Sequence, residues 1–161
     1  DTVVFCCSEP ASAPTSSALD LGNTAFVRNM GNVVSLFGSI PNSIEIASVE
    51  YAVGRGAREL IVIGHTNCGI IKSVINNSIG KGHQPAIYQI ISKAITEAER
   101  AVGSDLQLLL EKAIEENVRN TVESLRNSRF LLHPLIESGK LEIIGAIYDS
   151  DTMKIELLKE K

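Results

Sequence analysis

The stretch Glu59-Leu60-Ile61-Val62-Ile63-Gly64 constrains the fold more than any other part of the chain. It is apolar without alternation, so it does not suit a strand with one solvated face. It reads instead as a strand buried on both sides, as in a parallel sheet covered by helices. His65-Thr66-Asn67-Cys68-Gly69 follows at once, and Ile70 to Ile75 looks helical. A buried strand passing through a short turn into a helix is the building unit of α/β architecture.

Other segments fit the same plan. Thr2 to Cys7 is a β-rich apolar run bounded by Ser8-Glu9-Pro10, a second buried parallel strand. Ala25 to Asn29 is a short third strand, ending in Gly31-Asn32. Pro10 to Ser17 is a loop. Ser43 to Arg55 has helical spacing through Ile44, Ala47, Tyr51 and Ala52, with Asn42 or Ser43 as cap and Gly54 and Gly56 as stops. Lys81 to Pro85 is a loop, and Pro85 opens a helix to about Val102. Asp105 caps another helix, where Leu110, Ile114, Val118, Val122 and Leu125 form one apolar stripe. Leu141 to Tyr148 reads as a strand and Met153 to Leu158 as an edge strand. This order predicts an α/β domain: a mostly parallel central sheet flanked by helices, with an edge strand at the C-terminus. The 161 residues suit one domain spanning the chain.

Charge and cysteine usage narrow the function. The net charge is −4 and no Lys/Arg-rich run stands out, which argues against a nucleic-acid partner. No apolar stretch approaches the ~20 residues of a membrane helix, and the opening residues lack a basic signal-peptide region. The three cysteines, Cys6, Cys7 and Cys68, are odd in number and two are adjacent. That is a poor disulfide framework, and it points to a reducing, cytoplasmic setting with thiolates available for a metal or for catalysis.

Two places can carry chemistry, and each directly follows a strand. Cys7 ends the first strand; His65 and Cys68 follow the buried one. In open α/β sheets ligands gather outside the carboxyl ends of strands, so these side chains can converge. Thiolate and imidazole are preferred zinc ligands, and Cys₂His with an open fourth position is a catalytic set that activates water near neutral pH. The bland alternative is that His-x-x-Cys arose by chance and that the cysteines are small core residues. Cys6 fits that description, since it faces opposite to Cys7 in the strand. His83 and His133 suit surface or capping roles. The Leu110 to Leu125 stripe suits core or subunit interface, and Glu111, Lys112, Glu115 and Glu116 a solvated face.

Four stretches, in order across nearly the whole chain, resemble the β-class carbonic anhydrases. Gly64-His65-Thr66-Asn67-Cys68-Gly69 is similar to that family's glycine, histidine, cysteine, glycine signature. Arg28-Asn29-Met30-Gly31-Asn32 is similar to its arginine-asparagine-alanine-glycine-asparagine turn. Ser48 to Val53 resembles the helix before the zinc-binding strand, and Gly145-Ala146-Ile147-Tyr148-Asp149 the last main strand. The resemblance implies Zn2+ held by Cys7, His65 and Cys68, carbon dioxide and bicarbonate as substrates, and a homodimer or higher homo-oligomer. It also implies an N-terminal helical arm, which a chain opening inside a strand-like run would lack.

The resemblance breaks beside the first ligand. The family motif Cys-Ser-Asp-Ser-Arg corresponds to Cys7-Ser8-Glu9-Pro10-Ala11, with Pro14 in register with a proline downstream. This register favours Cys7 over Cys6 as the ligand. In the family the arginine holds the aspartate off the metal, the aspartate engages the zinc-bound water, and in some members the aspartate itself binds zinc in a closed state. Ala11 has no hydrogen bond to offer a carboxylate, and Arg28 belongs to a separate turn. Glu9 then has two options: to close the site as a fourth ligand, or to turn to solvent on a loop altered by Pro10.

Three functions follow. The first is reversible hydration of carbon dioxide, with Glu9 as the catalytic carboxylate in doubt through the loss of its arginine. The second is hydrolysis of carbonyl sulfide or carbon disulfide through an entrance reshaped at Pro10 to Ser17. The third is a closed zinc-binding protein without the activity.

Overall fold

The structure is a computed structural model and describes residues 1–9, 23–34, 44–78, 85–128 and 130–159. The expected loops at 10–17 and 81–84, the caps at Asn42 and Ser43, and Ala11, Pro14 and His83 lie outside the described residues.

The strands are β1 (Thr2–Cys7), β2 (Thr24–Asn29), β3 (Glu59–His65), β4 (Glu142–Asp149) and β5 (Lys154–Leu157). They form one sheet in the order β2-β1-β3-β4-β5. The first four strands are mutually parallel, and β5 closes one edge antiparallel to β4. All six residues of β1 are buried, as are six of the seven in β3, which is why these two read as unbroken apolar runs.

The helices are α1 (Ile44–Gly54), α2 (Gly69–Ile75), α3 (Pro85–Val102), α4 (Leu106–Arg126) and α5 (Leu132–Glu137). Asp105 caps α4 as expected: its Oδ1 accepts the N–H groups of Gln107 at 3.1 Å and Leu108 at 3.0 Å. The stripe from Leu110 to Leu125 is buried against the sheet. α4 lies close against β3 at Gly64, where a Cβ would stand 2.7 Å from Cγ2 of Val118. On one face of the sheet Val3, Phe5, Leu60 and Val62 pack with α1, the second half of α4 and α5. Val4, Cys6, Ile61 and Ile63 form a separate cluster on the opposite face, so Cys6 is a core residue.

Two expectations are corrected. α1 forms where the spacing places it, but it buries Ile46, Val49 and Val53, while Ile44 and Tyr51 are exposed. Two overlapping apolar stripes run along this helix, and only packing against β1 selects one. Glu116 is not part of a solvated face. It is buried in α4, with Lys112 Nζ 3.3 Å away. The short helix α5 and the 3₁₀ turn over Met30–Asn32 carry too few residues for a periodic signal.

Candidate metal centre

β1 and β3 are neighbours and parallel, with Cys6 opposite Ile63. Their carboxyl ends therefore lie side by side, which brings Cys7 next to His65. The turn after β3 then delivers Cys68: Asn67 adopts φ +56°, a conformation asparagine tolerates, and reverses the chain into α2. One ligand atom from each of Cys7, Glu9, His65 and Cys68 falls within 4.8 Å of the others. The structure thus brings together every site residue expected from the sequence. Cys7, His65 and Cys68 are buried, and no cysteine is in a disulfide.

Each donor is oriented by an outer partner. The Nδ1 of His65 is 3.0 Å from the carbonyl oxygen of Thr66, which can only accept, so Nδ1 carries the proton and Nε2 presents a lone pair. That Nε2 is buried and has no hydrogen-bond partner. A buried polar atom without a partner is costly, and a metal ion bound at this point would remove the cost. The Cys7 sulfur accepts the N–H of Gly31 at 3.2 Å and that of Glu9 at 3.5 Å. Gly31 reaches the sulfur because β2 ends beside Cys7 and turns over it, with Gly31 at φ +80°. Asn29 closes the turn by exchanging two hydrogen bonds with the backbone of Val33, at 2.7 and 3.0 Å. On the other side, Asn117 of α4 donates to the Gly31 carbonyl at 2.8 Å and Thr121 to that of Asn32 at 2.9 Å.

Sequence reasoning missed Gly31, Asn117 and Thr121 as supports of the site. Their signal was available: Asn117 and Thr121 are polar interruptions at buried positions of α4.

The electrostatics suit a thiolate centre. Without a metal, Cys7 and Cys68 share one proton. The Cys68 thiol's hydrogen bond lowers the pKa of Cys7 to about 4, against burial and with help from His65 and the two main-chain N–H groups. The same shared proton, with burial, pushes Cys68 up. Burial disfavours the charged form of His65, but the Cys7 sulfur and the Glu9 charge outweigh it and raise its pKa. The cluster therefore holds negative charge that a divalent cation would neutralise, and cation binding would release the remaining thiol proton.

Of its two expected paths, Glu9 does not take the one to solvent. Its Oε2 accepts the N–H of Gly69 at 3.0 Å and its Oε1 that of Ile70 at 2.9 Å. Oε2 also lies 3.5 Å from Nε2 of His65. Of the other two histidines, His133 is exposed beside Glu137, and His83 lies outside the described residues.

A parallel sheet that gathers two thiols, an imidazole and a carboxylate at its carboxyl edge defines an α/β protein with a site able to hold a metal ion. The sequence pattern of the carbonic anhydrase family matches residues 2–155, and the chain belongs to that family, in its β class. A carbonic anhydrase from Pseudomonas aeruginosa is 33% identical over 144 residues, covering 85% of this chain and 63% of the relative. One from Synechococcus elongatus is 29% identical over 146 residues, covering 84% of this chain and 51% of the relative. The chain thus spans between half and two thirds of the length of these relatives. The solved β-carbonic anhydrase CcaA matches with a TM-score of 0.80 at 25% identity, covering 98% of this chain and 79% of that one. A β-carbonic anhydrase of Coccomyxa, solved with acetazolamide, shares the fold at a TM-score of 0.81 and 20% identity, covering 99% of this chain and 72% of its own.

Proposed function

We propose that this chain hydrates carbon dioxide reversibly to bicarbonate and a proton, with Zn2+ held by Cys7, His65 and Cys68. The observation that carries this reading is the buried Nε2 of His65, without a hydrogen-bond partner and aimed into a cluster with two thiols and a carboxylate. Two thiolates and one imidazole suit zinc, which when bound polarises a water and lowers its pKa toward neutrality.

The chain's own groups do the rest. Thr66 fixes the imidazole through Nδ1, and Gly31 and Glu9 hold the Cys7 sulfur through their N–H groups. The Glu9 carboxylate, anchored on Gly69 and Ile70, would accept a hydrogen bond from the attacking water and orient it. One observation favours a second reading. Glu9 is close enough to join the other three donors, which would close the site and leave a zinc-binding protein without turnover. The loop expected at 10–17, on which the reading as a hydrolase of sulfur analogues rests, lies outside the described residues.

The reading extends to assembly and location. Among solved relatives are two tetrameric β-carbonic anhydrases from Sordaria macrospora. In this chain Phe26 on the edge strand β2 and Met30 beyond it are exposed, which supports a homodimer or higher homo-oligomer. Buried cysteines outside any disulfide support a reducing, cytoplasmic setting. Among the described residues no helix is long and apolar enough to cross a membrane.

Stopped-flow hydration of carbon dioxide by zinc-loaded protein tests the activity. We expect a rate above buffer that is abolished in His65→Ala. A rate no better than buffer at both neutral and alkaline pH overturns it in favour of the closed site.

A further inference from the structure

Both oxygens of the Glu9 carboxylate are held by main chain, and the two N–H donors belong to the residues directly after Cys68. The turn that delivers Cys68 therefore also fixes Glu9. Its side chain is only 21% exposed, and it faces the metal-directed nitrogen of His65.

Gly69 is central to this arrangement for a reason separate from its N–H. It sits in the first turn of α2 and is not among the positive-φ glycines, so its backbone has no need of glycine. What the missing Cβ provides is room. A Cβ on Gly69 would stand 2.9 Å from Oε1 of Glu9 and 3.4 Å from its carboxyl carbon. The carboxylate occupies the space that any larger residue would fill. Two N–H bonds to one carboxylate resemble the grip of an arginine fork, but they come from backbone already ordered by α2 and cost no additional side-chain freedom.

We propose that Gly69 is a positioning residue of the site: it makes room for the Glu9 carboxylate and, together with Ile70, anchors it beside the metal through main-chain N–H groups. This rests on the metal-site reading given above. It explains how a chain with Ala11 at the arginine position still orders this carboxylate. A glutamate has the reach to set both oxygens on these N–H groups.

The test joins a double-mutant cycle to a direct view of the hydrogen bonds. Thiocyanate is titrated into the cobalt(II)-loaded wild type, Glu9→Ala, Gly69→Ala and the double variant, and the visible spectrum is followed. Removing or displacing a carboxylate beside the metal lowers the repulsion an anion meets. Glu9→Ala and Gly69→Ala are each expected to tighten thiocyanate binding by about tenfold and to shift the cobalt spectrum in the same direction, with the double variant no different from either. The proposal is overturned if Gly69→Ala leaves both readouts at wild-type values while Glu9→Ala changes them, or if the two effects add.

Alanine is a better helix former than glycine, and the atom it meets is the free end of a side chain, so the variant folds. The second arm needs neither hydration activity nor cobalt. In protein as purified, Glu9→Ala is expected to move the amide protons of Gly69 and Ile70 upfield. Unmoved amides overturn the anchor whatever metal is bound. Absence of hydration activity in the zinc-loaded wild type, alongside moved amides in Glu9→Ala, would count against the proposed function and leave the anchor standing.

Discussion

Asn117 donates its side-chain amide to the carbonyl of Gly31 at 2.8 Å, 86 positions away in sequence, while the N–H of that same glycine points at the Cys7 sulfur. A helix on one face of the sheet thus holds the peptide that holds a metal donor. Asn117→Ala leaves a buried carbonyl without its partner. We expect a loss of about 1–3 kcal/mol in urea unfolding. Zinc affinity should also drop by about tenfold in chelator competition, at the mild end of outer-shell effects.

The three-donor reading predicts that no single donor is dispensable. Cys7→Ser, His65→Ala and Cys68→Ser should each fail to retain zinc through dialysis against a weak chelator, whereas wild type keeps about one ion per chain, as a Cys₂His site requires. Elemental analysis of the dialysed proteins checks this. Cys6→Ser should retain its zinc, because Cys6 packs with Val4 and Ile63 on the opposite face.

The metal-free cluster has a pH signature. The pKa of Cys7 is about 4 in the folded chain against 9.0 for an ordinary thiol, so between these values the unfolded chain holds the proton that the native chain has released. Stability from Cys7 is therefore fully present above pH 9.0 and is lost as pH falls through about 4. His65 runs the other way: its raised pKa gives stability below 6.5 that is lost as pH climbs through the folded value. Ultraviolet thiolate absorbance isolates the first effect. It should persist in metal-free wild type down to about pH 4 and be absent from Cys7→Ser in that range.

Close packing of α4 on β3 depends on Gly64. An alanine there would bring its Cβ 2.7 Å from Val118 and 3.1 Å from Ile114 and Ile147, all side chains with little space to retreat into. Gly64→Ala should cost about 1–3 kcal/mol in urea unfolding, as overpacked cores do. The adjacent His65 should bind zinc more weakly as the strand shifts.

Asp105 is a simpler case. Two N–H groups at the start of α4 depend on its Oδ1, so Asp105→Ala should lower the unfolding free energy by about 1 kcal/mol without altering zinc content. Thermal unfolding with metal analysis reads both.

Much of the architecture was legible because burial on both faces leaves an unmistakable pattern in a parallel strand. β1 and β3 appear in the sequence as apolar runs, and the helical stripe from Leu110 to Leu125 gives away α4. The donors Cys7, His65 and Cys68 were legible because each directly follows or ends such a strand, and strand ends in a parallel sheet face the same way. The buried face of α1 was not, since Ile44 and Tyr51 offered a stripe as regular as Ile46, Val49 and Val53, and the chain's own periodicity does not rank them.

The fate of Glu9 belonged wholly to three dimensions. Local chemistry identifies it as a carboxylate without an arginine to hold it, and from that alone it must either bind metal or leave. Which groups stand opposite it is a matter of how β1 and the turn after β3 meet, 60 positions apart, and those groups are two backbone N–H donors that no side-chain reading reveals. Donor types and strand ends are local properties, written residue by residue. The partners of a backbone amide are set only when the sheet closes and brings distant peptides within 3.0 Å.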